Sequence, residues 1–235
     1  MQALSDRSLL DIWERGQGRG PVERALLLLA AAFPDLGDDA GAGLGIGERD
    51  TAVLRLRHAT FGSRLPGEMS CPACNGQLEF QLDTEHFLSE LPARTERELT
   101  SADGLRFRLP TSRDLFAVAY CENAATAARK LLQLCCLDAR APEDWSPALL
   151  DEVETLLAEV EAAANIELKF HCASCGHAWA DHLDICGYFW EELEQRAQRL
   201  LDEVHRLARA YAWDEQRILA LGDARRAAYL ARCDA

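Results

Sequence analysis

CPACNGQLEFQLD, residues 71–83, sets two cysteines in a tight turn and then alternates: Leu78, Phe80 and Leu82 on one face, Gln77, Glu79 and Gln81 on the other. A period of two marks a half-buried strand. IELKFHCASCGHAWADHL, residues 166–183, runs the pattern in the other order. Ile166, Leu168 and Phe170 alternate with Glu167, Lys169 and His171 up to Cys172 and Cys175, and Trp179 and Leu183 alternate with Ala180 and His182 beyond them.

A tetrahedral zinc ion takes four thiolates at about 2.3 Å, and two Cys-x-x-Cys turns supply them. Cys71, Cys74, Cys172 and Cys175 are therefore the expected ligands of one structural zinc ion. Such a turn needs a left-handed residue soon after its second cysteine, and Asn75-Gly76 and Gly176 are residues that tolerate it. Turn plus alternating strands is the pattern of a zinc ribbon. Its two halves are far apart: residues 75 to 171, 97 in all, separate the inner cysteines, against roughly 15–20 in a compact site. Closing so long a loop is where a metal cross-link gains most in chain entropy. A redox dithiol would want a βαβ context, which neither motif has. Four cysteines leave no open position for catalysis. His171 and His177 are spare ligands, with His177 able to replace one cysteine, but a surface place suits them better. Cys121, Cys135, Cys136, Cys186 and Cys233 read as core or incidental thiols.

Working outward, the predicted fold is α+β and mostly helical, a split four-cysteine zinc ribbon with a helical insertion and a C-terminal helical tail. Residues 1–65 form an N-terminal helical region, 66–83 and 164–185 the two ribbon halves, 84–163 the insertion, and 186–235 the C-terminal helices. Gly16–Gly20 separates two N-terminal helices, and Pro21 suits the first position of the second. Residues 34–47, PDLGDDAGAGLGIG, read as a flexible loop. Gly41, Gly43, Gly45 and Gly47 lack the strand before and the Gly-Lys-Ser/Thr after that a phosphate loop needs. Glu48–Phe61 reads as a helix with Val53, Leu54, Leu56 and Phe61 inward and Arg49, Arg55 and Arg57 outward; with Arg64 these read as a solvated face. Leu105–Leu109 alternates like a strand, Thr111 and Asp114 form a helix start, and 115–163 reads as helical with a break at Ala141-Pro142. Phe189, Leu193, Ala197, Leu200, Leu201, Val204, Leu207, Ala208 and Tyr211 make a long helical stripe. Asp214 caps a short helix to Leu221, and a last helix runs from Gly222-Asp223 to about Cys233.

Of 235 residues, 49% are apolar, enough to bury a core, and 39 acids against 25 bases give a formal charge of −14. That charge argues against a protein whose whole surface tracks a nucleic-acid phosphate backbone. No apolar run reaches the roughly 18 residues of a membrane helix. The N-terminal stretch carries acids early and lacks the apolar segment of a secretory signal, so a cytoplasmic protein with reduced thiols is expected. No Ser-His-Asp set and no paired carboxylates stand out, so no enzymatic activity is expected.

Several stretches carry a resemblance: WERGQGRGPVERALLLLAAAFPD, IGERDTAVLRLRHATFGSRL just before the first cysteine pair, FRLPTSRDL, and CGHAWADHLDI followed by FWEELEQRAQRLLDEVHRLARAYAWDEQRILALGDARRAAYL. On these the chain resembles zinc-ribbon proteins of contractile injection system and contractile phage tail gene clusters, similar to T-even-type baseplate hub assembly proteins, a hub assembly chaperone family. The resemblance implies a non-enzymatic, chaperone-like assembly factor whose partners are baseplate hub or spike subunits. A minor structural baseplate component is one alternative, and a zinc-ribbon nucleic-acid-binding regulator is another. The C-terminal stripe with Trp190, Tyr211 and Trp213 is the expected partner surface, because aromatics dominate interfaces.

Overall fold

The computed structural model describes residues 2–91, 97–138, 145–161 and 164–233. Among these the fold is α+β and mostly helical, with three separate two-stranded sheets.

The chain opens with α1 (Asp6–Gly16), α2 (Pro21–Ala32), a short α3 (Asp38–Ala42) and α4 (Ile46–Phe61). The Ser5 hydroxyl accepts the Ser8 N–H to start α1. Glu23 accepts the Gly20 N–H at the start of α2. These caps satisfy donors that have no partner inside a helix. Then come β1 (Arg64–Ser70), β2 (Gln77–Asp83) and α5 (Thr84–Glu90), followed by β3 (Glu98–Thr100) and β4 (Arg106–Arg108). Three helices follow, α6 (Ser112–Val118), α7 (Ala124–Cys135) and α8 (Pro147–Val160). The chain ends with β5 (Glu167–His171), β6 (Ala178–His182), α9 (Ile185–Tyr211), α10 (Glu215–Leu219) and α11 (Asp223–Cys233). Every sheet is an antiparallel hairpin.

The main core gathers α1, α2, α4 and α9, with Leu9, Leu28, Val53 and Leu56 closing on Phe189, Leu193 and Leu200. Each such side chain stabilises the fold by about 1.5–3 kcal/mol relative to exposure. The stripe on α9 is thus the spine of the protein's own core. Phe189 and Leu193 are fully buried, and the Trp190 indole occupies the space where a Cβ on Gly16 would lie. This corrects the expectation of a partner face along that stripe: Phe189, Leu193, Ala197, Leu200 and Leu207 are buried, while Leu201, Val204, Ala208 and the distal Tyr211, which stacks on Trp213 with ring centroids 4.8 Å apart, stay half-exposed. A second core of Leu105, Phe107, Leu132, Trp145, Leu149 and Val153 joins β4, α7 and α8.

Other readings of the sequence also change. Arg49 and Arg57 are buried instead of solvated, because each meets a carboxylate: Asp50 at 2.7 Å and Glu192 at 2.6 Å. Arg55 is exposed as expected. Residues 34–47 contain α3 instead of a loop alone. Gly45 and Gly47 leave room for the Glu161 carboxylate, which accepts the Gly47 N–H in the first turn of α4. The stretch expected as continuous helix after Leu115 breaks after Val118 and restarts where the Asn123 side chain accepts the Thr126 N–H. The break expected at Ala141-Pro142 lies outside the described residues. The strands β1 and β3 had no alternation to announce them, and Pro66 and Gly67 interrupt the first. The capping box at Thr111 and Asp114 is present.

Candidate metal centre

Both cysteine pairs sit at hairpin tips. Cys71 and Cys74 lie between β1 and β2, Cys172 and Cys175 between β5 and β6. The two tips share one hydrogen-bond plan. Cys71 N–H donates to the Gly76 carbonyl at 2.9 Å and Asn75 N–H to the Cys71 carbonyl at 2.8 Å. Cys172 N–H donates to His177 at 2.8 Å and Gly176 N–H to Cys172 at 2.9 Å. Asn75 (φ 56°) and Gly176 (φ 74°) hold the left-handed position that lets each turn fold back. Gly76 stands where His177 stands in the other tip, and a Cβ there would lie 3.3 Å from Cys74 Sγ and 3.6 Å from Ser174 Oγ.

The fold brings all four sulfurs within 4.8 Å of one another. The Cys71–Cys175 and Cys74–Cys172 pairs are each 3.7 Å apart. Sulfurs on a tetrahedron with bonds of about 2.3 Å are separated by about 3.8 Å, so the set fits one tetrahedral metal ion. The distances are far beyond a disulfide bond, and all four thiols are free. Cys71 and Cys172 are buried, and Cys74 and Cys175 face outward. N–H groups of Cys175 and then Ser174 aim at Cys172 and pull its thiol down to about 6. The Gly76 N–H and the Cys175 thiol act the same way on Cys74, but the Cys172 thiol, desolvation and the Cys71 thiol together outweigh them and hold that thiol up. Four sulfurs this close cannot all be anionic without a cation to offset their repulsion. His171 and His177 are exposed and outside the four-sulfur group. The remaining cysteines also lie elsewhere. Burial pushes Cys135 up to about 12 and Cys186 well up, which makes them inert thiols.

Aromatic side chains press the hairpins together. Phe80 of β2 meets Phe170 of β5 with centroids 5.1 Å apart, and Phe170 stacks on Trp179 of β6 at 5.5 Å. Gly67 faces Phe80 across the β1–β2 register, and the ring fills the space a Cβ would take. Arg57 anchors the first hairpin to the helices. It donates to the carbonyls of Gly62 at 2.8 Å and Arg64 at 2.7 Å, and to both carboxylate oxygens of Glu192 on α9. The Tyr188 hydroxyl donates to the Pro66 carbonyl beside it. No local pattern marks Arg57 and Glu192 as partners, since 135 residues separate them. In the groove between this hairpin and α9, the Arg57 guanidinium and the Tyr188 hydroxyl are thus already committed.

No helix among the described residues is long and apolar enough to cross a membrane. No curated protein and no solved structure matches the chain. Residues 22–138 match the model of a family described as T4 bacteriophage base plate protein. That span runs from α2 past the end of α7 and holds Cys71 and Cys74 but not Cys172 and Cys175. Over that span, close to half of its length, the chain is similar to a phage baseplate family.

Proposed function

We infer that the protein is a non-enzymatic, chaperone-like assembly factor for the baseplate hub or spike of a contractile injection system or phage tail. The observation that carries this reading is the baseplate family match over residues 22–138. Zinc is the metal proposed for Cys71, Cys74, Cys172 and Cys175, because a closed tetrahedron of thiolates is its characteristic structural site. When bound, it supplies a cross-link between the hairpins; a closed four-thiolate shell has no position for a reacting water. The acidic charge favours a protein partner over nucleic acid.

The same match also favours a minor structural component of the baseplate. Deleting the gene and counting particles tests both readings. Few or incomplete particles with hub and spike proteins still expressed are expected. Absence of the protein from purified particles supports the assembly factor, and its presence supports the component. Normal particle yield after deletion rejects both.

A further inference from the structure

We propose that α11 is a strap: it lifts off α9 as one unit about Gly222, an ion network around Arg226 fastens it, and it covers the stacked rings of Tyr211 and Trp213. This goes beyond the baseplate reading and does not depend on it.

A helix of 11 residues is too short to persist alone in water, so α11 owes its structure to what it packs against, chiefly α9. That packing is slight. Arg226 is its one buried residue; Tyr229, Leu230 and Cys233 are half-buried and the rest are exposed. Among the described residues, none of α11 belongs to either core. Its neighbour α10 differs: Ile218 is fully buried and Leu219 packs on the main core. The boundary between anchored and strapped chain therefore falls at Leu221-Gly222, and a Cβ on Gly222 would meet nothing.

The fastening is ionic. The Arg226 guanidinium, 2% exposed, pairs with Asp6 of α1 at 2.6 Å, Glu203 of α9 at 2.7 Å and Asp223 of its own first turn at 2.7 Å. A buried cation is costly unless paired, so Arg226 is seated only when the two remote carboxylates receive it. Asp223 is mostly exposed and adds little. Arg196 of α9 flanks the same acids, 3.1 Å from Asp6 and 3.5 Å from Glu203. It stays when Arg226 leaves, so α1 remains paired to α9 with the strap open.

What the strap covers is aromatic. Tyr229 stands edge-on to both Tyr211 and Trp213, with centroids 5.5 and 4.9 Å away. Tyr211 stacks on Trp213, and Arg217 lies over the Trp213 ring at 5.0 Å. Aromatic rings with arginine are the composition of an interface hot spot. Closed, α11 holds that stack in contacts within the chain. Open, it frees the stack and, at the strap's other end, the carboxylates of Asp6 and Glu203. The strap is thus an autoinhibitory contact, and elements that move in this way are drawn from the least stable parts of a fold.

The test is amide hydrogen exchange, read by mass spectrometry on the full-length, metal-loaded protein, with Nile red as a neutral probe of exposed rings. In the wild type, residues 223–233 should exchange together and faster than α1, α2, α4 and residues 185–200. Arg226→Ala should speed exchange over 223–233 by roughly tenfold or more, the scale of a broken buried pair, and leave those helices unchanged. Nile red fluorescence should rise in the same variant and fall back when Trp213→Ala is added. Tyr229→Ala should also open the strap, and Arg225→Ala, on its exposed side, should leave it closed. Exchange of α11 that is no faster than that of the core, or is equal in Arg226→Ala and wild type, overturns the proposal. Protection lost through α1 and α9, or an Arg226→Ala chain that does not fold, also overturns it, since α11 is then part of the core. Unchanged dye binding rejects the covered surface. None of these readouts involves a particle, so the strap and the baseplate role fail separately.

Discussion

Arg57 shows how one side chain can tie the molecule together. It is 1% exposed, and its guanidinium joins α4, the entry to β1 and the α9 carboxylate of Glu192. A buried cation is costly unless paired, and removing it leaves Glu192 and two carbonyls without their donor. Arg57→Ala should therefore cost about 3 kcal/mol, as when a buried pair is broken. Arg55→Ala, on the exposed face of the same helix, should stay within about 0.5 kcal/mol. Urea unfolding of both variants checks the contrast. Glu161 gives a pH signature. Burial, with Asp50 and Glu48 nearby, raises its carboxyl from an ordinary 4.5 to about 7, against the opposing pull of the Gly47 N–H and Arg49. A group whose folded value is raised favours folding below its unfolded value and loses that contribution as pH climbs through the folded one. Relative to Glu161→Gln, the wild type should therefore lose stability between pH 4.5 and about 7. A constant difference across that window contradicts the burial of the carboxyl.

At the scale of elements, the hairpin β1–β2 depends on a residue that strands usually avoid. Glycine in a strand interior weakens it unless something approaches closely. Here the Phe80 ring lies over Gly67, then meets Phe170 of the other hairpin. Gly67→Leu should push that ring away, at the roughly 1–3 kcal/mol typical of overpacking, and separate the cysteine pairs. The expected readouts are a lower melting temperature and weaker metal retention against a chelator. Gly67→Ala should move both in the same direction by less. The capping box at α6 is a second local device. Burial alone would raise the Asp114 carboxyl, but Arg108 and Thr111 outweigh it and hold it below its usual range. Arg108 pairs with that carboxylate at 2.6 Å, so β4 and α6 share one ion pair.

For the whole molecule, the helices already do what the metal was expected to do. The long loop between the cysteine pairs leaves α4 and returns to α9, and those helices pack on each other through Val53, Leu56, Phe189 and Leu193. The ends of the loop are thus held together without a cross-link, and only the hairpin tips remain for the metal to fasten. Cys71 and Cys172 are buried, yet none of the four cysteines belongs to the main core. Chelation of the folded protein should therefore leave most of its helical circular dichroism intact. Residues 64–83 and 167–182 should lose protection from amide exchange. Cooperative loss of the helices on chelation would show instead that the metal holds the core itself.

Short-range patterns carried much of this protein in its sequence. The turn at each cysteine pair needs only its own residues and a left-handed Asn75 or Gly176, and the alternation around it follows from the pleat of a strand. Caps at Thr111 and Asp214 are equally local. The grouping of four sulfurs followed from one chemical rule, that two such turns complete a tetrahedron, however many residues lie between. What the sequence left open needs partners remote along the chain. Arg57 looked solvated because a helix face shows its own charges and not Glu192, which comes from α9 to meet it, and Arg49 because nothing local shows Ser112 arriving beside its pair with Asp50. Gly45 and Gly47 looked like a flexible loop because Glu161, more than 110 residues away, fills their empty side-chain space. The stripe on α9 looked like a surface for a partner because periodicity shows that a face is apolar and not what covers it. Only the packing of α1, α2 and α4 around that stripe decided it, because burial depends on the three-dimensional neighbours a helix acquires and no local pattern names them.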